Sequence, residues 1–158
     1  MSVNKTPKII MGCTELGSNT SINDSQKMLD IFIDNHNSNE NIYLDTSFVY
    51  GRGKSEESLE YVSKNMKTKF KDKNILISTK VHAIKGLDSK GINYQINISL
   101  NERMKLKCVD ILYIHQPSMK YPIINTLIAI NDVYNKGLFK RFGLCNFSAW
   151  EVTKIIYL

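Results

Sequence analysis

The sequence contains few cysteines and no long hydrophobic run, which argues against a disulfide-rich protein and against a membrane-spanning one. Three cysteines occur in 158 residues, at Cys13, Cys108 and Cys145. An odd number at such wide spacing does not suit a disulfide or zinc framework and favours a reduced chain without a metal site. No apolar stretch reaches the ~18 residues expected of a membrane span, and the opening residues MSVNKTPKIIMG lack the apolar region of a secretory signal. We therefore expect a cytoplasmic protein with no membrane span.

The basic residues do not form a concentrated patch. Lys and Arg outnumber Asp and Glu by 21 to 15, which gives a formal charge of +6, but they are scattered along the chain. The densest run, KNMKTKFKDK, lies between two segments with regular hydrophobic patterns and is typical of a solvated helix end. We expect no nucleic-acid partner, although a mild positive field favours an anionic cofactor.

Short apolar runs recur along the chain about every 33 residues, which is the length of one strand-plus-helix unit. Their nearly continuous hydrophobicity is typical of parallel strands that are covered on both faces. The runs are KIIMG near Ile9, NIYLD near Ile42, ILISTKV near Ile75, VDILYIH near Val109 and RFGLCNF near Phe142. They predict five parallel strands.

The segments between these runs have helical periodicity. Ser55 is a candidate N-cap for the second helix, with Glu56 and Glu57 in the first turn, where carboxylates oppose the helix dipole. Apolar stripes at helical spacing predict core-facing surfaces. Two examples are Ile92, Ile96, Leu100 and Met104, and Ile123, Ile124, Leu127 and Ile128.

Alternating strands and helices indicate an α/β fold with a parallel sheet, either a barrel or an open doubly wound sheet. The first strand–helix turn, GCTELGSN, is not a GxGxxG fingerprint, which argues against an open dinucleotide-binding sheet. An eight-unit barrel takes about 250 residues. Residues 1–158 therefore predict one domain of the (β/α)8 TIM-barrel type, incomplete, with about five of the eight units.

Polar residues end four of the predicted strands, namely Asp45, Lys80, His115 and Asn146, and Tyr50 lies just beyond the second strand. Taken singly, each has a structural explanation: a hydrogen-bonded histidine, a surface lysine whose ammonium reaches water, or a turn-forming aspartate. Together they lie at equivalent depths on successive strands, and barrel enzymes gather their chemistry at that end. We expect them to converge in one pocket.

These residues together predict a site that donates a proton to a substrate oxygen as that oxygen gains negative charge. A tyrosine has a reference pKa of about 10, so it donates poorly at neutral pH unless its phenolate is stabilised. A neighbouring ammonium provides that stabilisation, and a carboxylate keeps the ammonium charged and oriented. Tyr50, Lys80 and Asp45 form such a relay, and His115 is placed to orient the same substrate oxygen. Reduction of a carbonyl by hydride from a nicotinamide fits this arrangement.

Four ordered motifs resemble the aldo-keto reductase family over nearly the whole chain. DTSFVYGRGKSEESL, residues 45–59, resembles the family's D-T-A-x-x-Y-G-x-x-x-S-E-x-x-L, and ISTKV resembles its lysine strand. SLNERMKLKCVDILYIHQPS resembles S-L-x-R-L-x-x-x-Y-V-D-L-x-x-x-H-x-P, and KGLFKRFGLCNFSAWEV resembles G-K-I-R-x-I-G-V-S-N-F. MGCTELG and FVYGRG are most similar to the aflatoxin aldehyde reductase branch.

The resemblance implies a (β/α)8 barrel that reduces aldehydes and ketones to alcohols with NADPH. Its catalytic tetrad falls on Asp45, Tyr50, Lys80 and His115, with Tyr50 as the proton donor. The partner it implies is a small-molecule carbonyl substrate.

The same resemblance implies a set of cofactor-binding residues. Asn146 matches the asparagine that holds the nicotinamide carboxamide, and Cys145 replaces the serine that precedes it. Gly12 and Cys13 match first-strand residues that lie along the cofactor and contact it through their backbone. Asp45 also belongs to this set.

The chain stops at EVTKIIYL, where the family continues through three more strands. Those strands carry a glutamine of the carboxamide site, an aromatic that stacks on the nicotinamide, and the basic loop for the 2′-phosphate, so the choice of NADP is inherited from the resemblance. The alternative is therefore a non-catalytic binding subunit, as in the aldo-keto-like β-subunits of potassium channels, or an inactive truncated remnant. Open barrel edges predict that the chain self-associates or folds poorly.

Overall fold

The computed structural model describes residues 7–37 and 40–158, and in them strands alternate with helices. The strands of this part of the chain are β1 (Ile10–Gly12), β2 (Asn41–Asp45), β3 (Asn74–Val81), β4 (Val109–Ile114) and β5 (Phe139–Leu144). The helices are α1 (Ile22–Asp34), α2 (Lys54–Asn65), α3 (Lys67–Asp72), α4 (Ser89–Asn97), α5 (Ile123–Asn135) and α6 (Ala149–Ile156). Each predicted strand run overlaps one of these strands. The prediction that the N-terminus lacks a secretory signal falls partly on residues 1–6, which lie outside the described residues.

The sheet is parallel throughout, and its strand order is β1-β2-β3-β4-β5. A doubly wound sheet reverses its strand order at a switch point, whereas a barrel adds each strand beside the previous one. The sequential order therefore confirms five units of a (β/α) barrel. Within the described residues, no helix is both long enough and apolar enough to cross a membrane.

The helices cover the outer face of the sheet and form two apolar clusters with it. The first cluster lies under α1 and α2 and includes Leu29, Ile33, Ile42, Leu44, Leu59 and Val62. The second lies under α4 and α5 and includes Ile92, Ile96, Leu112, Ile114, Ala129 and Val133. Burial of these side chains supplies the main driving force for folding of the sheet onto its helices.

The apolar stripe at Ile92, Ile96, Leu100 and Met104 is confirmed, since none of its members is more than 3% exposed. A spacing of four residues drifts around an α-helix, whose turn contains 3.6 residues. The chain corrects the drift by continuing from α4 into a π-helical segment, Ile98–Met104, whose wider turn keeps the later residues on the buried side.

Two local predictions were wrong. Gly53, not Ser55, caps α2; Ser55 lies inside the helix, where its Oγ donates a 2.6 Å hydrogen bond to the Cys13 carbonyl. In α5, Ile124 and Ile128 are 44% and 57% exposed, and the buried face is instead Thr126, Ala129, Ile130 and Val133. That helix is apolar on most of its circumference, so periodicity alone does not select the side that contacts the sheet.

Candidate active site

The pairing of β2 with β3 continues beyond Asp45 and brings the first two candidate residues side by side. The backbone N–H of Thr46 donates to the Ser78 carbonyl at 2.9 Å, and that of Phe48 donates to the Lys80 carbonyl at 3.1 Å. Asp45 is opposite Ser78 in the register. Because side chains alternate between faces along a strand, Ser78 and Lys80 both point to the inner face that Asp45 shares.

Asp45 and Lys80 form a nearly buried ion pair. Lys80 Nζ lies 2.5 Å from Asp45 Oδ2 and donates a second hydrogen bond, of 2.8 Å, to the Thr46 carbonyl. Ser78 Oγ donates to the other carboxylate oxygen, Oδ1, at 2.8 Å. The side chain of Lys80 is only 5% exposed, so its charge is held in one place by these oxygens.

Tyr50 lies directly above this ion pair, at the start of the tight 3-10 turn Tyr50–Gly53. Lys80 Nζ is 4.7 Å from the centroid of the Tyr50 ring. The turn requires left-handed backbone at Gly51, Arg52 and Gly53, whose φ angles are 55°, 56° and 100°. A Cβ at Gly53 would also meet the guanidinium of Arg103 at 2.3 Å, so glycine is required there for close approach as well as for its φ angle.

Arg103 attaches the Tyr50 segment to the body of the fold. Its Nη1 donates to the Phe48 carbonyl at 2.7 Å and to Glu56 Oε2 at 2.9 Å, and the guanidinium lies 4.5 Å from the Phe48 ring centroid. Glu56 is fully buried and accepts a further hydrogen bond of 2.7 Å from Thr79. The chain on both sides of Tyr50 is thereby connected to β3 and to the π-helical segment.

His115 follows β4 and lies against the Tyr50 ring, with ring centroids 5.5 Å apart and planes at 86°. The ring of His82 is on another side of it, at 5.3 Å between centroids. Its Nδ1 lies 3.0 Å from Ser47 Oγ. Burial, followed by the charges of Lys80 and His82, lowers the pKa of His115 below its usual 6.5, so the imidazole is neutral at pH 7.

Asn146 and Cys145 lie beside His115 at the end of β5. The side-chain amide of Asn146 donates to the His115 carbonyl at 2.8 Å and contacts Cys145 Sγ at 3.3 Å. Asn146 is exposed and has left-handed backbone with φ of 60°, a conformation that asparagine tolerates. Its amide therefore has a defined position at the rim of the inner face.

Gly12 and Cys13 lie at the end of β1 and differ in accessibility. Gly12 is exposed, and nothing lies within 4 Å of where a Cβ would stand. Cys13 is fully buried on the outer side, and burial, with the Asp45 charge second, raises the pKa of its thiol to about 12. Its N–H donates to the Asp45 carbonyl at 2.9 Å and its carbonyl accepts from Ser55. Gly12 therefore presents its backbone to the inner face, whereas both backbone groups of Cys13 already have partners.

The inner face of the sheet borders an open hollow of about 370 Å³. Gly12, Asp45, Lys80 and Cys145 line the hollow together with apolar residues that include Ile111 and Leu144. The apolar side chains of this lining and the exposed backbone of Gly12 are compatible with a nicotinamide ring. In residues 7–37 and 40–158, no group of three His, Cys, Asp or Glu side chains is arranged to hold a metal ion.

Asp45, Tyr50, Lys80, His115 and Asn146 are thus neighbours, as the sequence predicted. Four contributors were not predicted: Ser47, Ser78, His82 and Tyr113. Strand alternation was an available signal for two of them, since Ser78 and Tyr113 each stand two residues before a predicted site residue.

The chain has a clear family assignment. The model of the "Aldo/keto reductase family" matches residues 8–157. Aflatoxin B1 aldehyde reductase member 2 of Mus musculus is 30% identical over 154 residues, which are 96% of this chain and 40% of that protein. A probable voltage-gated potassium channel subunit beta of Arabidopsis thaliana is 32% identical over 118 residues, 71% of this chain and 35% of that protein.

A similar fold occurs in a crystal structure of an aldo-keto reductase from Klebsiella pneumoniae in complex with NADPH. The superposition covers 96% of this chain and 49% of the Klebsiella chain, with a TM-score of 0.79 and 18% sequence identity. The chain belongs to the aldo/keto reductase family, and its fold is the barrel type seen in that crystal structure. It spans less than half the length of the curated relatives named above.

Proposed function

We propose that this chain carries the proton-donating half of an NADPH-dependent reductase that converts aldehydes and ketones to alcohols. The observation that carries the proposal is the position of the Lys80 ammonium, which contacts Asp45 and lies 4.7 Å from the Tyr50 ring centroid. A cation held beside a phenol stabilises the negative charge that develops on its oxygen as the proton leaves. Few structural roles require these three groups together at a strand end.

Each residue then has a defined task. Tyr50 gives its proton to the carbonyl oxygen as that oxygen becomes an alkoxide. Lys80 stabilises the resulting phenolate, and Asp45 keeps the ammonium charged and pointed at the ring. The neutral ring of His115 donates a hydrogen bond to the same oxygen and fixes the direction from which the substrate approaches.

The cofactor would occupy the hollow of the inner face. Bound NADPH supplies the hydride. Gly12 and Asn146 would contact its nicotinamide end, Gly12 through its exposed backbone and Asn146 through its side-chain amide. Asp45 and Cys145 line the hollow and remain part of the proposed cofactor set. Cys13, also proposed from the family resemblance, is fully buried, and its N–H and carbonyl are bonded to Asp45 and Ser55.

A non-catalytic binding subunit is the second candidate, favoured by the similarity to the Arabidopsis potassium channel subunit beta. The two candidates differ in what they require of Tyr50. Turnover requires its hydroxyl, whereas a binding role requires only the shape of the fold.

The test is fluorescence titration with NADPH followed by turnover of an aromatic aldehyde, with wild type compared to Tyr50→Phe. We expect the substitution to leave NADPH affinity unchanged and to reduce kcat at least 100-fold, because it deletes the general acid. Tyr61→Phe is the matched control, since Tyr61 is an exposed tyrosine on α2.

Equal turnover in Tyr50→Phe and wild type would contradict the assigned acid. NADPH binding without turnover in any variant would favour the binding subunit, and no NADPH binding at all would favour an inactive remnant.

We also propose that the chain self-associates through the edges of its sheet. β1 and β5 each pair with one neighbour within the described sheet, and Ile9 and Ile10 beside one edge are 67% and 56% exposed. Unpaired strand edges with apolar side chains are templates for association. Sedimentation velocity should show a concentration-dependent oligomer; a monodisperse monomer with cooperative unfolding would contradict this.

A cytoplasmic location is also proposed, since all three cysteines are free thiols, which suits a reducing compartment. Cell fractionation tests it, and recovery of the protein from a secreted fraction would contradict it.

A further inference from the structure

Ser47 is a buried hydroxyl beside the active-site histidine, and the function proposed above gives it no task. It is 0% exposed, and it stands where the family motif D-T-A-x-x-Y has an alanine. Its position is rigid because the N–H groups of its two neighbours, Thr46 and Phe48, both donate to β3. The hydroxyl can therefore form hydrogen bonds only with the few groups that lie next to it.

Ser47 Oγ lies within hydrogen-bond distance of two acceptors, a ring nitrogen and a backbone carbonyl. Ser47 Oγ lies 3.0 Å from His115 Nδ1 and 3.4 Å from the Lys80 carbonyl, and it accepts weakly, at 3.5 Å, from the Val49 N–H. The shorter contact is the better hydrogen bond. A neutral imidazole carries one proton, so a ring that accepts at Nδ1 has its proton on Nε2.

We propose that Ser47 is a positioning residue that donates to Nδ1 of His115 and thereby keeps the ring proton on Nε2. This inference rests on the proposed function for its purpose, since a carbonyl oxygen needs a donor and the Nε2–H group supplies one. Ser47 also prevents the ring from flipping, because the flipped ring would place a carbon against the hydroxyl.

The charged and titratable groups around His115 are compatible with this assignment. Tyr50 and His82 each pack edge-on against the ring, and Lys80, whose ammonium lies over the Tyr50 ring, is paired with Asp45. The two cationic or ionisable nitrogen groups oppose a second proton on the ring. Within residues 7–37 and 40–158, the hydrogen-bond partner of Nδ1 is Ser47.

The test is long-range ¹H–¹⁵N NMR of the histidine side chains in the 158-residue chain at pH 7.5. Wild type should show His115 as the Nε2–H tautomer. Ser47→Ala, which introduces the residue of the family motif, should give a mixture with a measurable Nδ1–H population, and Ser47→Thr should restore the wild-type pattern. His82 is an internal control, because its Nδ1 accepts from the Ile84 N–H and should keep one tautomer in all three proteins.

The second measurement is steady-state turnover. Ser47→Ala should reduce kcat about five- to tenfold, the usual worth of one hydrogen bond, with NADPH affinity unchanged and with recovery in Ser47→Thr. An Nδ1–H tautomer in wild type, or a tautomer unaffected by Ser47→Ala, would overturn the inference. Absence of turnover in wild type would overturn the proposed function alone, since the tautomer measurement needs no activity.

Discussion

On the outer face of the sheet, Ile42, Leu44 and Leu112 are fully buried beneath the helices, whereas on the inner face Ile10 is 56% exposed and Tyr43 is only half-buried. The outer face is apolar, and its side chains pack only against other residues of this chain. The inner face instead bears the ion pair, the tyrosine and the histidine. Stability and chemistry are therefore separated by side-chain alternation along the same strands. Substitutions on the two faces should have different consequences.

The largest effect should come from a pair of neighbours on β4. Leu112→Ala removes a fully buried outer side chain and should lower the free energy of unfolding by about 3–5 kcal/mol. Ile111→Ala removes a half-buried side chain that lines the inner hollow and should cost about 1 kcal/mol. Urea unfolding measures both, and equal losses would contradict the division of the sheet into a stabilising and a functional face.

The buried clamp on the Tyr50 segment should give the next largest effect. Arg103→Ala leaves the carboxylate of Glu56 buried without its charged partner and should cost about 3 kcal/mol. Turnover should also fall, because the segment from Phe48 to Glu56 loses its attachment. Arg141→Ala is the matched control: its pair with Asp110 is half-exposed at the arginine and should contribute far less to the free energy of unfolding.

Comparable losses for Arg103→Ala and Arg141→Ala in the same unfolding assay would argue against a clamp. So would full turnover in Arg103→Ala.

The rate of thiol labelling at Cys13 should show whether the outer face of the sheet is closed to solvent. Cys13 is fully buried with its pKa raised to about 12, so its reactive thiolate is scarce at pH 8 and the labelling reagent has no access. In the variant with both Cys108→Ser and Cys145→Ser, Cys13 should react with an aromatic disulfide only as fast as the protein unfolds. Rapid labelling in buffer would show that the outer face is open.

The smallest effect is a pH dependence that originates on the inner face. The pKa of His115 is lowered in the folded chain, so between its usual 6.5 and its folded value the unfolded chain binds the proton more readily. The free energy of unfolding should therefore rise as the pH rises through this window. The contribution of His115 to stability should be lost as the pH falls through it. The slope should be flatter in His115→Gln; an unchanged slope would assign the effect elsewhere.

Sequence reasoning recovered the strands and the strand-end residues because both depend on local pattern. Lys80 and His115 each follow a run of apolar residues, and such runs are visible without a structure. The motif around Tyr50 located the residue that we propose as the proton donor. The cap at Gly53 was missed because it depends on the left-handed turn that follows Tyr50. The buried face of α5 was missed because only packing determines which side of that helix faces the sheet.

The contacts of Ser47 and Glu56 could not have been predicted in the same way. Ser47 meets His115 across 68 positions of sequence, and Glu56 meets Arg103 across 47. Each pair forms only because adjacent strands or helices bring distant segments together. Glu56 lies in the first turn of α2, as predicted, and it is also the buried partner of Arg103, which the sequence does not indicate.

The central claim is that Tyr50 protonates a carbonyl that receives hydride at the inner face. The most direct measurement is a single turnover with NADPH that carries deuterium at both C4 positions of the nicotinamide and an aromatic aldehyde, followed by mass analysis of the alcohol. Wild type should yield alcohol with deuterium on the former carbonyl carbon, and Tyr50→Phe should yield at least 100-fold less per unit time. Alcohol without deuterium, or equal yields from both proteins, would contradict the account.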